Sequence, residues 1–149
     1  MPRILVTENI TGPDMDRLRA ETDLEVVFDP GLWQDAARLA EALAAAEGII
    51  VRNQTKVTAE LIAQAPGLKI IGRAGAGLDN IDTGAATEAG IVVSYTPREN
   101  SLSVAELALG LMLSLARMIP AADRDTRSGG WNRQTFTGGE LSGKTLGVV

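Results

Sequence analysis

The stretch Leu68-Lys69-Ile70-Ile71-Gly72-Arg73-Ala74-Gly75-Ala76-Gly77-Leu78-Asp79-Asn80 decides the fold. A short apolar run, Leu68 to Ile71, enters a glycine-bearing loop, and a short helix from Asp82 to Ala89 follows, stopped by Gly90. Strand, loop and helix in that order form the repeating unit of a parallel sheet. Upstream, Gly48-Ile49-Ile50-Val51, Leu24-Glu25-Val26-Val27-Phe28 and Arg3-Ile4-Leu5-Val6-Thr7 read as further strands. Downstream, Ile91-Val92-Val93-Ser94-Tyr95 is a fifth. Helices are expected between them: one led by Pro13, one from Trp33 to Ala46, and one capped by Thr58 and ended by Pro66-Gly67. Five apolar strands separated by helices predict an α/β chain with a flavodoxin-like parallel sheet covered on both faces. Ligands of such sheets sit beyond the carboxyl ends of the strands, which directs attention to the loops after Val51, Ile71 and Tyr95.

The pattern changes after Pro97. Ser101 to Met118 reads as one long helix, with Ser103 and Glu106 spaced as a capping box. Leu102, Val104, Leu107, Leu109, Leu111, Met112, Leu113 and Leu115 cover nearly every side of it, and a helix apolar all round requires cover all round. Pro120 opens another helix, Gly129-Gly130 ends it, and Leu146-Gly147-Val148-Val149 reads as the start of a new strand.

Composition removes several functions. Fourteen Lys+Arg against nineteen Asp+Glu in 149 residues give a net charge of −5, which argues against a nucleic-acid or anionic-membrane binder. Cysteine and histidine are both absent, so thiol chemistry, disulfides, Cys/His zinc sites and histidine acid–base catalysis are excluded for this chain. The acidic residues show no calcium-loop spacing. The N-terminus has no signal-peptide apolar core, and the apolar run from Leu107 to Ala116 is too short to span a bilayer. A cytoplasmic location is the default expectation.

Three groups of residues have the chemistry of a small-anion site. Gly75, Ala76 and Gly77 form a Gly-x-Gly loop between a strand and a helix, where backbone N–H groups approach a ligand closely. The loop fails the dinucleotide fingerprint, because Asn80 stands where a third small residue is needed and no acid closes the next strand. A tight turn requiring glycines is the alternative reading. Arg52 and Arg73 each follow a strand on the same rim, and each offers a bidentate fork to carboxylate or phosphate. Asn100 is either a ligand-facing amide or the N-cap of the long helix.

Arg52-Asn53-Gln54-Thr55-Lys56-Val57-Thr58, Gly72 to Asp82, Thr96 to Ser101 with Val104-Ala105-Glu106, Gly129-Gly130-Trp131 and Glu140 to Val148 together resemble the D-isomer-specific 2-hydroxyacid dehydrogenases. The 3-phosphoglycerate dehydrogenase branch is the nearest. The resemblance implies that residues 1–98 are the first part of a substrate-binding domain. Residues 99–149 would then be inter-domain helices and the first strand of a truncated Rossmann domain, the whole being the N-terminal portion of an enzyme. It implies an oxidoreductase that uses NAD on the CH–OH group of a D-2-hydroxy acid, with a small anionic 2-hydroxy or 2-oxo acid as substrate and a homodimeric assembly. The pyrophosphate loop, catalytic arginine and acid–histidine pair of the family have no counterpart in these residues. This chain alone is therefore expected to be inactive. By the same resemblance Arg52 contacts a substrate phosphate or carboxylate, the N–H groups around Gly75, Ala76 and Gly77 cradle the carboxylate, and Asn100 takes a substrate-side role. Arg73 assists with the anion, and Val104 touches the nicotinamide side. A stand-alone small-anion-binding module without turnover is the competing class.

Overall fold

The computed structural model describes residues 1–148. They form two compact units, residues 1–100 and 101–148. The first unit alternates strands and helices: β1 (Arg3–Val6), α1 (Pro13–Ala20), β2 (Glu25–Phe28), α2 (Ala36–Ala44), β3 (Gly48–Val51), α3 (Ala59–Ala63), β4 (Ile70–Arg73), α4 (Thr83–Glu88) and β5 (Val92–Tyr95). The strands make one five-stranded sheet in the order β2-β1-β3-β4-β5, and every pairing is parallel. This is the expected flavodoxin-like order.

Consecutive side chains on a strand point to opposite faces, so a central strand buried at successive positions has both faces covered. Leu5 and Val6 of β1 are 1 % and 0 % exposed. The core gathers Leu5, Ile49, Val51 and Ile71 from the strands, Leu39 and Leu43 from α2, Leu61 and Ile62 from α3, and Ala86 from α4. Both faces of the central strands are thus buried, whereas the expected cover on both faces fails at the β4–β5 edge, where Ile70 and Val92 are 40 % and 60 % exposed.

Several element boundaries differ from the sequence expectation. The helix expected from Trp33 to Ala46 is two pieces, a 3-10 turn at Leu32–Gln34 and then α2. Asp35 separates them: its backbone is extended and its carboxylate accepts from the N–H groups of Ala37 and Arg38, so it starts a new helix. Strand β4 runs Ile70–Arg73, displaced from the expected Leu68–Ile71, because the Leu68 N–H still closes a turn onto Ala65 after Pro66-Gly67. Arg73 is thus the last residue of the strand, not the first of the loop.

In the second unit α5 spans Ser101–Ala116 and α6 spans Ile119–Arg127. The long helix stops short of Met118, which takes left-handed φ 55° and ψ 31°, and the two helices meet at a 63° bend. Ser103 and Glu106 lie inside α5, which already begins at Ser101, and among the described residues no hydrogen bond links either side chain to the other's N–H, so they form no capping box. None of the α5 residues is buried. The strand expected over Leu146–Val149 is absent among the described residues, of which 145 to 148 have no regular structure, and Val149 lies outside them. A lone extended segment has no ladder to join, and a strand without partners is only an unpaired edge. Among the described residues no single helix is long and apolar enough to cross a membrane.

Candidate functional site

The carboxyl ends of β3, β4 and β5 open into a cavity of about 520 Å³. Arg52 and Asn53 line it from the loop after β3, Arg73 to Ala76 from the end of β4, and Thr96, Glu99 and Asn100 from the segment after β5. Arg52, Arg73, Gly75, Ala76 and Asn100 are thus brought together around one space within the first unit. Gly77 lies just beyond the lining residues. Val104 sits on α5 in the second unit and is 56 % exposed.

The loop after β4 is shaped around the Arg73 side chain. Gly75 has φ +157°, and a Cβ added there would overlap the Arg73 guanidinium. Glycine is needed for both the backbone angle and the close approach. The Gly75 N–H donates to the Arg73 carbonyl at 2.9 Å, and the Gly75 carbonyl accepts from the Thr96 N–H at 3.2 Å. That first N–H is therefore already satisfied. The N–H groups of Ala76 and Gly77 have no protein acceptor among the described residues, which leaves them as the loop's available donors. Arg73 Nε is buried without a hydrogen-bond partner among the described residues. A buried cationic donor left unpaired is costly unless an acceptor arrives.

The loop after β3 is organised by a residue not singled out in the sequence. Glu8, two residues beyond the end of β1, is 3 % exposed. Its Oε1 accepts from the N–H groups of Arg52 at 2.8 Å and Thr55 at 2.9 Å. Its Oε2 accepts from Asn53 at 3.0 Å and Gln54 at 2.9 Å. Burial raises the carboxyl's pKa, but the four backbone donors favour the charged form more strongly, and the net position is below the ordinary carboxylate value. Thr7 and Thr55 share a hydroxyl–hydroxyl bond of 2.7 Å beneath the same loop. Asn80, which spoiled the dinucleotide fingerprint, donates its amide to the carbonyls of Thr55 at 2.7 Å and Arg52 at 3.3 Å. A charged residue immediately after an apolar strand, at the rim where strand ends converge, was the available signal for Glu8. For Asn80 no local signal existed.

In this strand order the chain reverses direction between β1 and β3, where doubly wound sheets commonly admit ligands. Glu8 occupies that crevice and commits both oxygens to the crossing loop. The open cavity is displaced toward β3–β5, beside two guanidinium groups. This arrangement suits a small anion with two ends: donors of fixed direction from the glycine loop, forks from the arginines and an amide from Asn100.

The fold and this rim define an α/β domain with a ligand-sized cavity at the ends of its parallel strands. The family model described as "D-isomer specific 2-hydroxyacid dehydrogenase, catalytic domain" matches residues 4–144, and the chain belongs to that family. It is 48 % identical to the D-3-phosphoglycerate dehydrogenase of Archaeoglobus fulgidus over 147 residues, which is 99 % of this chain and 27 % of that protein. With the enzyme of the same name from Methanocaldococcus jannaschii the identity is 46 %, over 100 % of this chain and 28 % of the relative. The chain therefore spans about a quarter of the length of these relatives and corresponds to their N-terminal part. Among solved structures, a Thermus thermophilus protein superposes with a TM-score of 0.83 at 35 % identity, covering 95 % of this chain and 46 % of that one. A glyoxylate reductase from Paecilomyes thermophila superposes with a TM-score of 0.82 at 27 % identity, covering 96 % and 46 %.

Proposed function

We propose that this chain is the substrate-holding part of an NAD-dependent dehydrogenase acting on the CH–OH group of a D-2-hydroxy acid, with 3-phosphoglycerate or a related acid as substrate. The observation that carries this reading is the placement of Arg52 and Arg73 around one cavity with Ala76, whose N–H, like that of the adjoining Gly77, has no protein acceptor among the described residues. In the proposed mode the N–H groups of Ala76 and Gly77 hold the carboxylate next to the carbinol carbon. Arg73 pairs with that end, and its unpartnered Nε gains an acceptor. Arg52, on the exposed side of the cavity, receives the phosphate end, and the Asn100 amide closes the opposite wall. Held at both ends, the acid presents one face of its carbinol carbon, which sets the stereochemistry of hydride transfer.

The described residues do not build a dinucleotide site. The Arg73 guanidinium fills the space over Gly75 that a pyrophosphate would need, and Asn80 is committed to Arg52 and Thr55. Pyrophosphate binding and proton transfer are therefore assigned to parts of the protein outside these residues, with Val104 proposed to touch the nicotinamide side. Family membership favours this enzyme reading over a stand-alone anion-binding module.

Calorimetric titration with 3-phosphoglycerate tests the assignment. Arg52→Ala is expected to weaken binding by about 1.5–3 kcal/mol, the size of a charge-assisted hydrogen bond, and to weaken a small monocarboxylate much less. Equal losses for the two ligands would refute the placement of Arg52 at the phosphate end.

A further inference from the structure

We infer that Glu8 is a positioning residue for anion capture: it holds the loop after β3 in the arrangement that presents Arg52 and Asn53 to the cavity. The inference rests on the reading of that cavity as an anion site. Four consecutive N–H groups, from Arg52 to Thr55, converge on its two carboxylate oxygens at 2.8–3.0 Å. Successive N–H groups folded around an anion form a nest. Here the anion is a side chain of the protein, planted at the end of β1. Thr7 and Asn80 also tether this loop, but they reach the Thr55 hydroxyl and the carbonyls of Arg52 and Thr55. Among the described residues, Glu8 alone grips the N–H groups of Arg52 and Asn53, the residues of this loop that line the cavity.

The sign of one substitution separates positioning from charge. A carboxylate behind an anion site opposes binding through space, so Glu8→Gln would tighten binding if charge alone mattered. Positioning predicts the reverse. A glutamine turns its NH₂ toward two of the four donors and loses both bonds, and the loop that carries Arg52 loosens.

The experiment is calorimetric titration of the chain with 3-phosphoglycerate, for the wild type, Glu8→Gln, Arg52→Ala and the double variant. Glu8→Gln should weaken binding about tenfold or more in the wild-type background, and by less than about threefold once Arg52 is gone, because Glu8 acts through Arg52. Binding that is unchanged or tighter in Glu8→Gln overturns the inference, as does an equal loss in both backgrounds, the mark of a merely structural role. Wild-type chain that binds no 3-phosphoglycerate removes the anion-site reading and the role of Glu8 with it, an outcome distinct from wild-type-like binding by the variant. Should Glu8→Gln not fold, Glu8→Asp keeps the charge but withdraws it by one methylene, and weaker binding is again expected. Amide exchange in the wild type adds a measurement that needs no variant. Slow exchange at 52 to 55 supports the tether, and exchange at the rate of an open loop overturns it.

Discussion

Substituting Gly75 by alanine should damage the protein in two separable ways. The residue sits at φ +157°, a conformation that side chains rarely adopt, and holding a non-glycine residue in a sparsely populated region costs about 1–3 kcal/mol. The new methyl would also occupy the position of the Arg73 guanidinium, which must swing away. Moving it removes one charge-assisted contact from the cavity, worth about 1.5–3 kcal/mol, or roughly a 10- to 150-fold loss in anion affinity. Gly77→Ala is the control. Its Cβ would meet Asp79 Oδ1 at 2.8 Å, the tip of an exposed side chain that can rotate aside, and Gly77 has no such positive φ. Urea denaturation reads the first effect and calorimetry with 3-phosphoglycerate reads the second. Gly75→Ala with an unchanged urea midpoint and wild-type affinity would refute the account of this loop. A Gly77→Ala variant as impaired as Gly75→Ala would show that Arg73 is not the reason.

Acid should loosen the first unit through Glu8. Its carboxyl titrates below the ordinary value in the folded chain, so the stability it contributes is present above the unfolded pKa of about 4.3 and is lost as pH falls through the lower, folded one. Urea midpoints between about pH 7 and pH 3 should therefore fall more steeply for wild type than for Glu8→Gln, and parallel curves would contradict the tether. The second unit predicts self-association: Leu102, Leu107 and Leu115 on α5 are 72 %, 64 % and 80 % exposed, and sedimentation of the chain should show dimers or larger species that Leu107→Glu disperses. A monomer at all concentrations would mean that the helix tolerates water. Finally, the 149-residue chain should reduce no 2-oxo acid with NADH, since it contains no histidine and its glycine loop is filled by Arg73; turnover by sequence-verified material would refute this.

The alternation of strands and helices was readable in the chain because each strand is a short apolar run bounded by turn residues, as Gly48–Val51 is, and such signals are local. The parallel order followed from connection length and handedness. The candidate site was half readable: Arg52, Arg73, Gly75 and Ala76 could be placed on one rim because a strand end, an arginine and a glycine pair each announce themselves within a few residues. Their convergence on one cavity depended on the register that sets Val51 beside Arg73 and Arg73 beside Tyr95. Element ends such as Asp35 and Met118 were misjudged, since a cap and a left-handed residue alter the chain over a single position that periodicity averages away. For Asn80 no local signal existed, and for Glu8 the local signal, a charge after an apolar strand, did not reveal its partners. Glu8 acts across 44 to 47 residues and Asn80 across 25 to 28, and only the folded sheet brings a carboxylate from the end of β1 under the N–H groups that follow β3. Apolar patterning determines which segments become strands. Which polar group then satisfies which backbone donor is decided by tertiary geometry, because a hydrogen bond requires contact within about 3 Å and sequence spacing carries no such distance.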